Sequence, residues 1–260
     1  MKNLFACFVL ILTLSSCQNE EDRINKELAF TYDTIKVESK NEFTKNGRYI
    51  APGKVTIEFP IFKSDTINKF IAQKVFNFFD EKEQSTSFQD IADSFIEGYD
   101  DFANKSEKVV EQPWSLMINI RVLRKSPTYL SLKYMHYDYV GGAHGNTLIS
   151  FLNYNPTTNT SITIDSLIQN DKMQALIQVA ELIFRKNEKL STTESLEEKY
   201  FFEKGKFKLA ENFHVSDSGL LFMYNPYEIK PYSEGYTELL VPFSALKNIA
   251  KPNTILTTQP

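Results

Sequence analysis

Residues 139–150 read YVGGAHGNTLIS: three glycines, His144 and Asn146 set between two stretches of strand-like sequence. Consecutive glycines reach positive φ values that other residues resist. Their N–H groups can form a small nest for an anion. A histidine beside them can donate to a ligand or act as a base, and an asparagine can orient either. Base catalysis further needs a nucleophile, or a group that fixes the imidazole tautomer. Asp138 lies on the other side of the glycines and Ser150 alternates into the following strand, so no triad is spelled out. The three histidines, His136, His144 and His214, show no H-x-x-x-H or H-E-x-x-H spacing. His136 and Asp138 share a strand face and His144 is a conceivable third ligand, but satisfied polar residues beside a sheet are commoner than a zinc site. The plainer reading of GGAHG leads: the glycines turn the chain, and His144 and Asn146 hydrogen-bond the returning backbone. A ligand-contacting role for Tyr139, Gly141, Gly142, His144 and Asn146 stands beside it.

A second stretch, NPYEIKPYSEG, runs from Asn225 to Gly235. Pro226 and Pro231 stiffen it. Tyr224, Tyr227, Tyr232 and Tyr236 crowd it, and Glu228 adds a carboxylate. Tyrosine joins a flat apolar ring to a hydroxyl, which suits protein interfaces and sugar stacking, and equally suits closing a sheet edge. A paired-carboxylate glycosidase would need two acids across a cleft. Asp138, Glu228 and Glu238 are available, but spacing along the chain does not fix their separation.

The elements that must position these loops follow from periodicity. Phe30–Lys40 and Gly53–Phe62 alternate as strands, with Val55, Ile57 and Phe59 on one face, and form a hairpin across Asn46-Gly47 with a longer loop. A helix capped by Asp65 carries Ile67, Phe70, Ile71, Val75, Phe78 and Phe79 at helical spacing; another starts at Ser87, with Asp90 completing a variant capping box. Trp114–Leu123, Tyr129–Val140 and Thr147–Asn155 read as a meander of antiparallel strands. Asp171–Lys189 reads as a third helix, and NEKLSTTESLEEKY as an exposed, charged helical segment. Phe207–Val215, Gly219–Asn225 and the segment ending near Pro242 complete the strands. The expected class is α+β, an antiparallel sheet with about three packed helices.

The first residues, MKNLFACFVLILTLSSC, give a basic start, a short apolar run and small residues before Cys17. That reads as a signal peptide over residues 1–16, too short for a spanning helix. LSSC resembles the lipobox of bacterial lipoproteins, which makes Cys17 the lipidated residue. Residues 17–29 read as a polar tether, 30–108 as a smaller α+β domain and 109–260 as a second domain. The cysteines are Cys7 and Cys17, so past the leader no disulfide, thiol nucleophile or thiolate metal site is expected. The formal charge of −4 without a basic run argues against nucleic acid as a partner.

Three motifs, YDYVGGAHGNT, FLNYNPTTNTSITIDSLI and GLLFMYNPYEIKPYSEGYTELLVPFSAL, resemble the DUF3298 domain found at the C-terminus of RsiV-like anti-sigma factors and beside some peptidoglycan deacetylase domains. Tyr137, Tyr139, Gly141, Gly142, Ala143, His144 and Asn146 match the first family pattern. Phe222, Tyr224, Tyr227, Glu228, Ile229, Pro231, Tyr232 and Gly235 match the second. The resemblance covers roughly residues 110–250, and residues 30–105 resemble the DUF4163-like region that usually precedes it. It implies an extracytoplasmic protein of a family in which the RsiV-like members bind lysozyme. The sequence shows no sigma-binding segment and no deacetylase domain, so neither activity carries over. The expected function is non-enzymatic recognition of peptidoglycan, another envelope glycan or a secreted protein such as lysozyme. The expected protein has no cofactor and no metal, and reaches the membrane through the lipid on Cys17. The rival is a hydrolase of cell-wall material using His144 with Asp138 or Glu228.

Overall fold

Serine caps start the two helices that lie against the large sheet. The computed structural model describes residues 20–45, 47–79, 85–106 and 112–258. The Ser64 hydroxyl accepts from the Ile67 amide at 3.4 Å and starts α2 (Asp65–Phe76). The cap is thus one residue before the expected Asp65, which instead sits in the first turn, where its charge suits the helix dipole. Ser87 caps α3 (Phe88–Lys105) by accepting from the Asp90 amide at 3.1 Å. The Asp90 carboxylate turns back onto the Thr86 amide and hydroxyl. Ile67, Ile71 and Val75 of α2 and Ile91, Ala92, Ile96, Tyr99 and Ala103 of α3 are buried, as a helical stripe packed on a sheet should be.

The sheet beneath them has six strands in the order β1-β4-β5-β6-β7-β8. These are β1 (Phe30–Glu38), β4 (Lys54–Phe62), β5 (Ser115–Ser126), β6 (Tyr129–Tyr139), β7 (Asn146–Asn155) and β8 (Thr160–Ser161). The expected pairing of β1 with β4 is present, antiparallel over nine residues. The loop between them contains its own small hairpin, β2 (Phe43–Lys45) and β3 (Arg48–Ile50), turning at Gly47 with φ 71°. Asn46, the other half of the expected turn, is outside the described residues, as are residues 1–19 with Cys17. One junction departs from the expected antiparallel sheet: β4 and β5 pair parallel. A parallel pair needs a crossover, and α2 and α3 supply it. The division expected at residues 108 and 109 therefore falls between two strands that are neighbours in one sheet. It lies in the stretch 107–111, outside the described residues.

Leu116, Ile118, Ile120, Leu130, Leu132 and Tyr134 alternate onto the helix side and build one core with α2 and α3. Residues 20–27, expected as part of a tether, form a helix, α1. Ile24 and Leu28 are each 2% exposed and belong to this core. Two apolar residues four apart are enough to seat one helical face.

A second core joins α5 (Met173–Asn187) to a three-stranded sheet ordered β11-β10-β9. Its strands are β9 (Phe213–Val215), β10 (Gly219–Tyr224) and β11 (Thr237–Pro242), and a short turn of helix, α4 (Ile164–Leu167), and α6 (Phe243–Leu246) flank it. The charged stretch after α5 is not helical, and Leu196 and Tyr200 within it are buried against Phe184 or its surroundings. Of the strand expected over 207–215, only Phe213–Val215 pairs in the sheet. Tyr129 ties the two cores together: its hydroxyl donates to Asn153 Oδ1 at 2.7 Å and accepts from the Val215 amide at 2.8 Å. Among the described residues no helix is long and apolar enough to cross a membrane.

Candidate functional site

Strands β6 and β7 are joined by residues 140–145. Gly141 and Gly142 take φ values of 107° and 97°, conformations that side chains with a Cβ rarely adopt. The Tyr139 hydroxyl donates to Gly142 O at 3.1 Å and pins the turn, so Tyr139 is a buried clamp rather than a contact surface. Gly145 is small for a different reason. A Cβ there would lie 2.4 Å from Cε2 of Tyr137, whose ring covers the backbone. Asn146 donates to Asp138 Oδ2 at 3.2 Å across the base of the turn. His144 is exposed at the tip, with Nδ1 3.0 Å from Gly145 O. A carbonyl only accepts, so this bond assigns the proton to Nδ1 and leaves Nε2 as an acceptor in the neutral ring.

The second loop begins where β10 ends. The Asn225 side chain is buried and pairs with the outer edge of β7 as a strand would. Its Oδ1 accepts from the Ile149 amide at 2.7 Å, and its Nδ2 donates to Ile149 O at 3.1 Å and Glu228 Oε1 at 3.0 Å. Asn212 does the same one position along, to Phe151 N at 2.8 Å and Ile149 O at 2.7 Å. Two amides thus satisfy an edge that would otherwise lack partners. Tyr227 sits at φ 70° in a tight turn closed by its amide on Lys230 O, and is 58% exposed. Lys230 reaches Glu188, the residue that caps the end of α5, at 2.8 Å, and the Tyr200 hydroxyl reaches the other oxygen of the same carboxylate at 2.9 Å.

So held, the two loops meet. The rings of His144 and Tyr232 stack with centroids 4.0 Å apart and planes at 12°. The Tyr232 hydroxyl lies 3.3 Å from Gly145 O, the same oxygen that accepts from the His144 Nδ1–H. The Tyr227 ring follows at 5.7 Å from Tyr232. His144, Tyr232 and Tyr227 therefore form one aromatic surface from two motifs far apart in the chain.

Two other sequence-selected residues stand apart from it. Tyr224 is a core residue whose hydroxyl donates to Lys208 O at 2.7 Å, and burial pushes its phenol pKa well up. Glu228 is exposed, but its recorded partner is the Asn225 amide rather than His144. Asp138 bonds His136 and Asn146, so neither carboxylate forms the acid–base pair that the hydrolase reading needs. In the sequence Asn225 and Tyr137 stand out only as members of their motifs, and the spacing role of Gly145 not at all. A polar residue closing an apolar strand, as Asn225 does, is the signal that pointed to the first.

Behind the loop, three side chains of β6 form a chain. The Tyr134 hydroxyl is 3.0 Å from His136 Nδ1, and His136 Nε2 is 3.0 Å from Asp138 Oδ1. Both ring nitrogens are thereby occupied, so this histidine is a strut rather than a free base. Among the described residues no three histidine, cysteine or acidic side chains converge on a point. The His136 hydrogen bond, helped by Asn146 and opposed by burial, holds the Asp138 carboxyl below the usual carboxylate range. A lowered folded-state pKa contributes stability that is present above the unfolded value, about 3.9, and is lost as pH falls through the folded one. Between about pH 5 and pH 2, the urea midpoint of the native protein should accordingly fall further than that of Asp138→Asn. Parallel curves for the two would show that Asp138 adds nothing.

Residues 162–244 match the model of a family described as a protein of unknown function, DUF3298, and residues 51–147 match a model described as deacetylase PdaC, in place of the expected DUF4163-like match. No curated protein matches the chain. Among solved structures, a DUF3298 family protein from Pseudomonas aeruginosa PAO1 is 17% identical, with a TM-score of 0.68, over 91% of this chain and 100% of that one. A member of the same family from Bacteroides fragilis NCTC 9343 is 21% identical, with a TM-score of 0.66, over 89% of this chain and 97% of the other. At these identities the likeness is one of fold. The expected resemblance joined both loops in one domain. The matches instead place GGAHG in the PdaC-like segment and NPYEIKPY in the DUF3298 segment, so the aromatic surface forms where the two segments meet.

Proposed function

We propose that this chain, with its DUF3298-like segment, is a non-catalytic recognition protein of the bacterial cell envelope. On this reading it is held to a membrane by lipid on Cys17 and grips peptidoglycan, another glycan or a secreted protein such as lysozyme. The observation that carries the reading is the His144–Tyr232 stack, with Tyr227 beside it and the imidazole bonded to its own backbone. Stacked rings presenting hydroxyls are suited to binding, because they offer flat apolar area with little rotamer entropy to lose. The glycines and the Asn225 clamp prebuild the surface, which lowers the ordering cost of association.

The lipid would keep the domain near the bilayer.

The deacetylase in the name of the model matched by residues 51–147 favours the rival hydrolytic reading. Against it stands the pairing of Asp138 with His136 and of Glu228 with Asn225. The test is co-sedimentation of the soluble protein, starting at Gln18, with purified peptidoglycan, and capture of the same protein on immobilised lysozyme. Retention on one of them, weakened by His144→Ala and by Tyr227→Ala separately, is expected. Retention unchanged in both variants would remove the aromatic surface from the account.

A further inference from the structure

The two ends of the large sheet carry different parts of the chain. At one end β5 turns into β6, where Ser126 pairs with Tyr129. Phe30 and Phe62 pair at this same end, because β4 runs parallel to β5 and β1 runs against it. At the opposite end Ser115 pairs with Tyr139 and Asp138 with Asn146, and the glycine turn closes β6 onto β7. β6 alone crosses from one end to the other in 11 residues. At about 3.3 Å per residue, the ends lie about 30 Å apart.

α1 sits at the first end. Glu20, Glu21 and Ile24 border one hollow with Pro127 and Thr128 of the β5–β6 turn and with Thr157. Leu28 O lies 3.5 Å from Lys125 Nζ, and Ala29 O accepts from the Lys63 amide at 2.9 Å, so the chain stays at this end until β1 begins. The buried side chains of Ile24 and Leu28 seat the helix there. The N-terminal side of the chain therefore joins the fold a strand's length from the stack of His144 on Tyr232.

This polarity matters on the reading given above, on which the inference rests, that lipid on Cys17 holds the protein to a membrane. Cys17 precedes α1 in the sequence, so the lipid acts on the fold through the α1 end. We propose that the tethered protein stands with the β5–β6 turn toward the bilayer and the His144–Tyr232 surface away from it. Its partner then lies in the layer beyond the lipid headgroups, within reach of a surface held about one strand-length above them.

The test attaches the anchor chemically, so its outcome does not depend on lipidation in the cell. Cys17 is the one cysteine of a protein that starts there. Coupling it to a maleimide-bearing lipid in phosphatidylcholine vesicles tethers that whole chain. Biotin is then placed through a genetically encoded azide at Thr128 or at Ser233, both exposed. Streptavidin, a bulky soluble probe, should capture biotin at Ser233 as fast as on untethered protein, and should lose most of its capture at Thr128 once the protein is tethered. A fluorophore at the same positions should be quenched by nitroxide headgroups at Thr128 and spared at Ser233. Equal capture and equal quenching at the two positions would overturn the proposal, as would the reverse order. Co-sedimentation of the soluble protein with peptidoglycan and its capture on lysozyme are independent of the anchor. Failure of recognition is thus told apart from failure of this orientation.

Discussion

A protein that begins at Phe30 should be about 3–5 kcal/mol less stable than one that begins at Gln18, because it loses two fully buried aliphatic side chains. Ile24 and Leu28 each keep 2% of their surface, and both touch the core beneath α2 and α3. Burying such a side chain contributes about 1.5–3 kcal/mol, and the ordering of a short helix offsets part of the sum. The ion pairs of Arg23 with Glu20 and Glu27 lie on the exposed side and add little. Urea unfolding of both lengths measures the difference directly. For a domain of this size a shift of about 1–2 M in midpoint corresponds to it. Equal midpoints would return residues 20–28 to the role of tether. The double variant Ile24→Ala and Leu28→Ala, which keeps the chain length, should reproduce most of the loss.

Tyr232→Ala should reduce retention of the protein on its envelope partner by about 30-fold or more, the scale of a buried aromatic anchor cut back to its Cβ. The substitution removes the stack on His144, the hydroxyl bond to Gly145 O and the support beneath Tyr227 in one step. Tyr232→Phe keeps the stack and loses only the 3.3 Å hydroxyl contact, so it should stay within about threefold of the native protein. The pair separates a ring that positions the surface from a hydroxyl that bonds the ligand. Loss of binding in both, with native thermal unfolding, would assign the role to the hydroxyl. Native binding in both would show that the partner docks elsewhere.

Much of the fold was legible because period-2 and period-3.6 patterns report burial directly. Val55, Ile57, Leu116, Ile118 and Ile120 face the core as their alternation requires, and α2, α3 and α5 form on their apolar stripes, but α2 ends at Phe76, before Phe78 and Phe79, and Phe78 and Phe102, expected in the stripes, are exposed. Reading failed where the stripe was thin or the partner remote. Residues 18–29 have few apolar side chains, and two of them four apart look like a tether until a core receives them. Leu196 and Tyr200 were masked by the charges around them. The parallel pairing of β4 with β5 depends on where two helices return the chain, which no local pattern records.

The site divides the same way. Each loop announced itself by composition: glycines at positive φ in one, prolines and tyrosines in the other. Their meeting did not, because the stack of His144 on Tyr232 depends on Asn225 clamping β7 and on Lys230 anchoring to Glu188 at the end of α5. Tyr224 shares the spacing of the surface tyrosines yet points into the core, since it lies in β10 with Phe222 on the buried face.

The central claim is that the surface around His144 and Tyr232 holds an envelope partner without changing it. Mass spectrometry of peptidoglycan fragments after prolonged incubation with the protein tests this most directly, alongside the amount of protein retained. The account predicts retained protein and fragment masses identical to those of an untreated sample. Cleaved or deacetylated fragments that vanish with His144→Ala would contradict it.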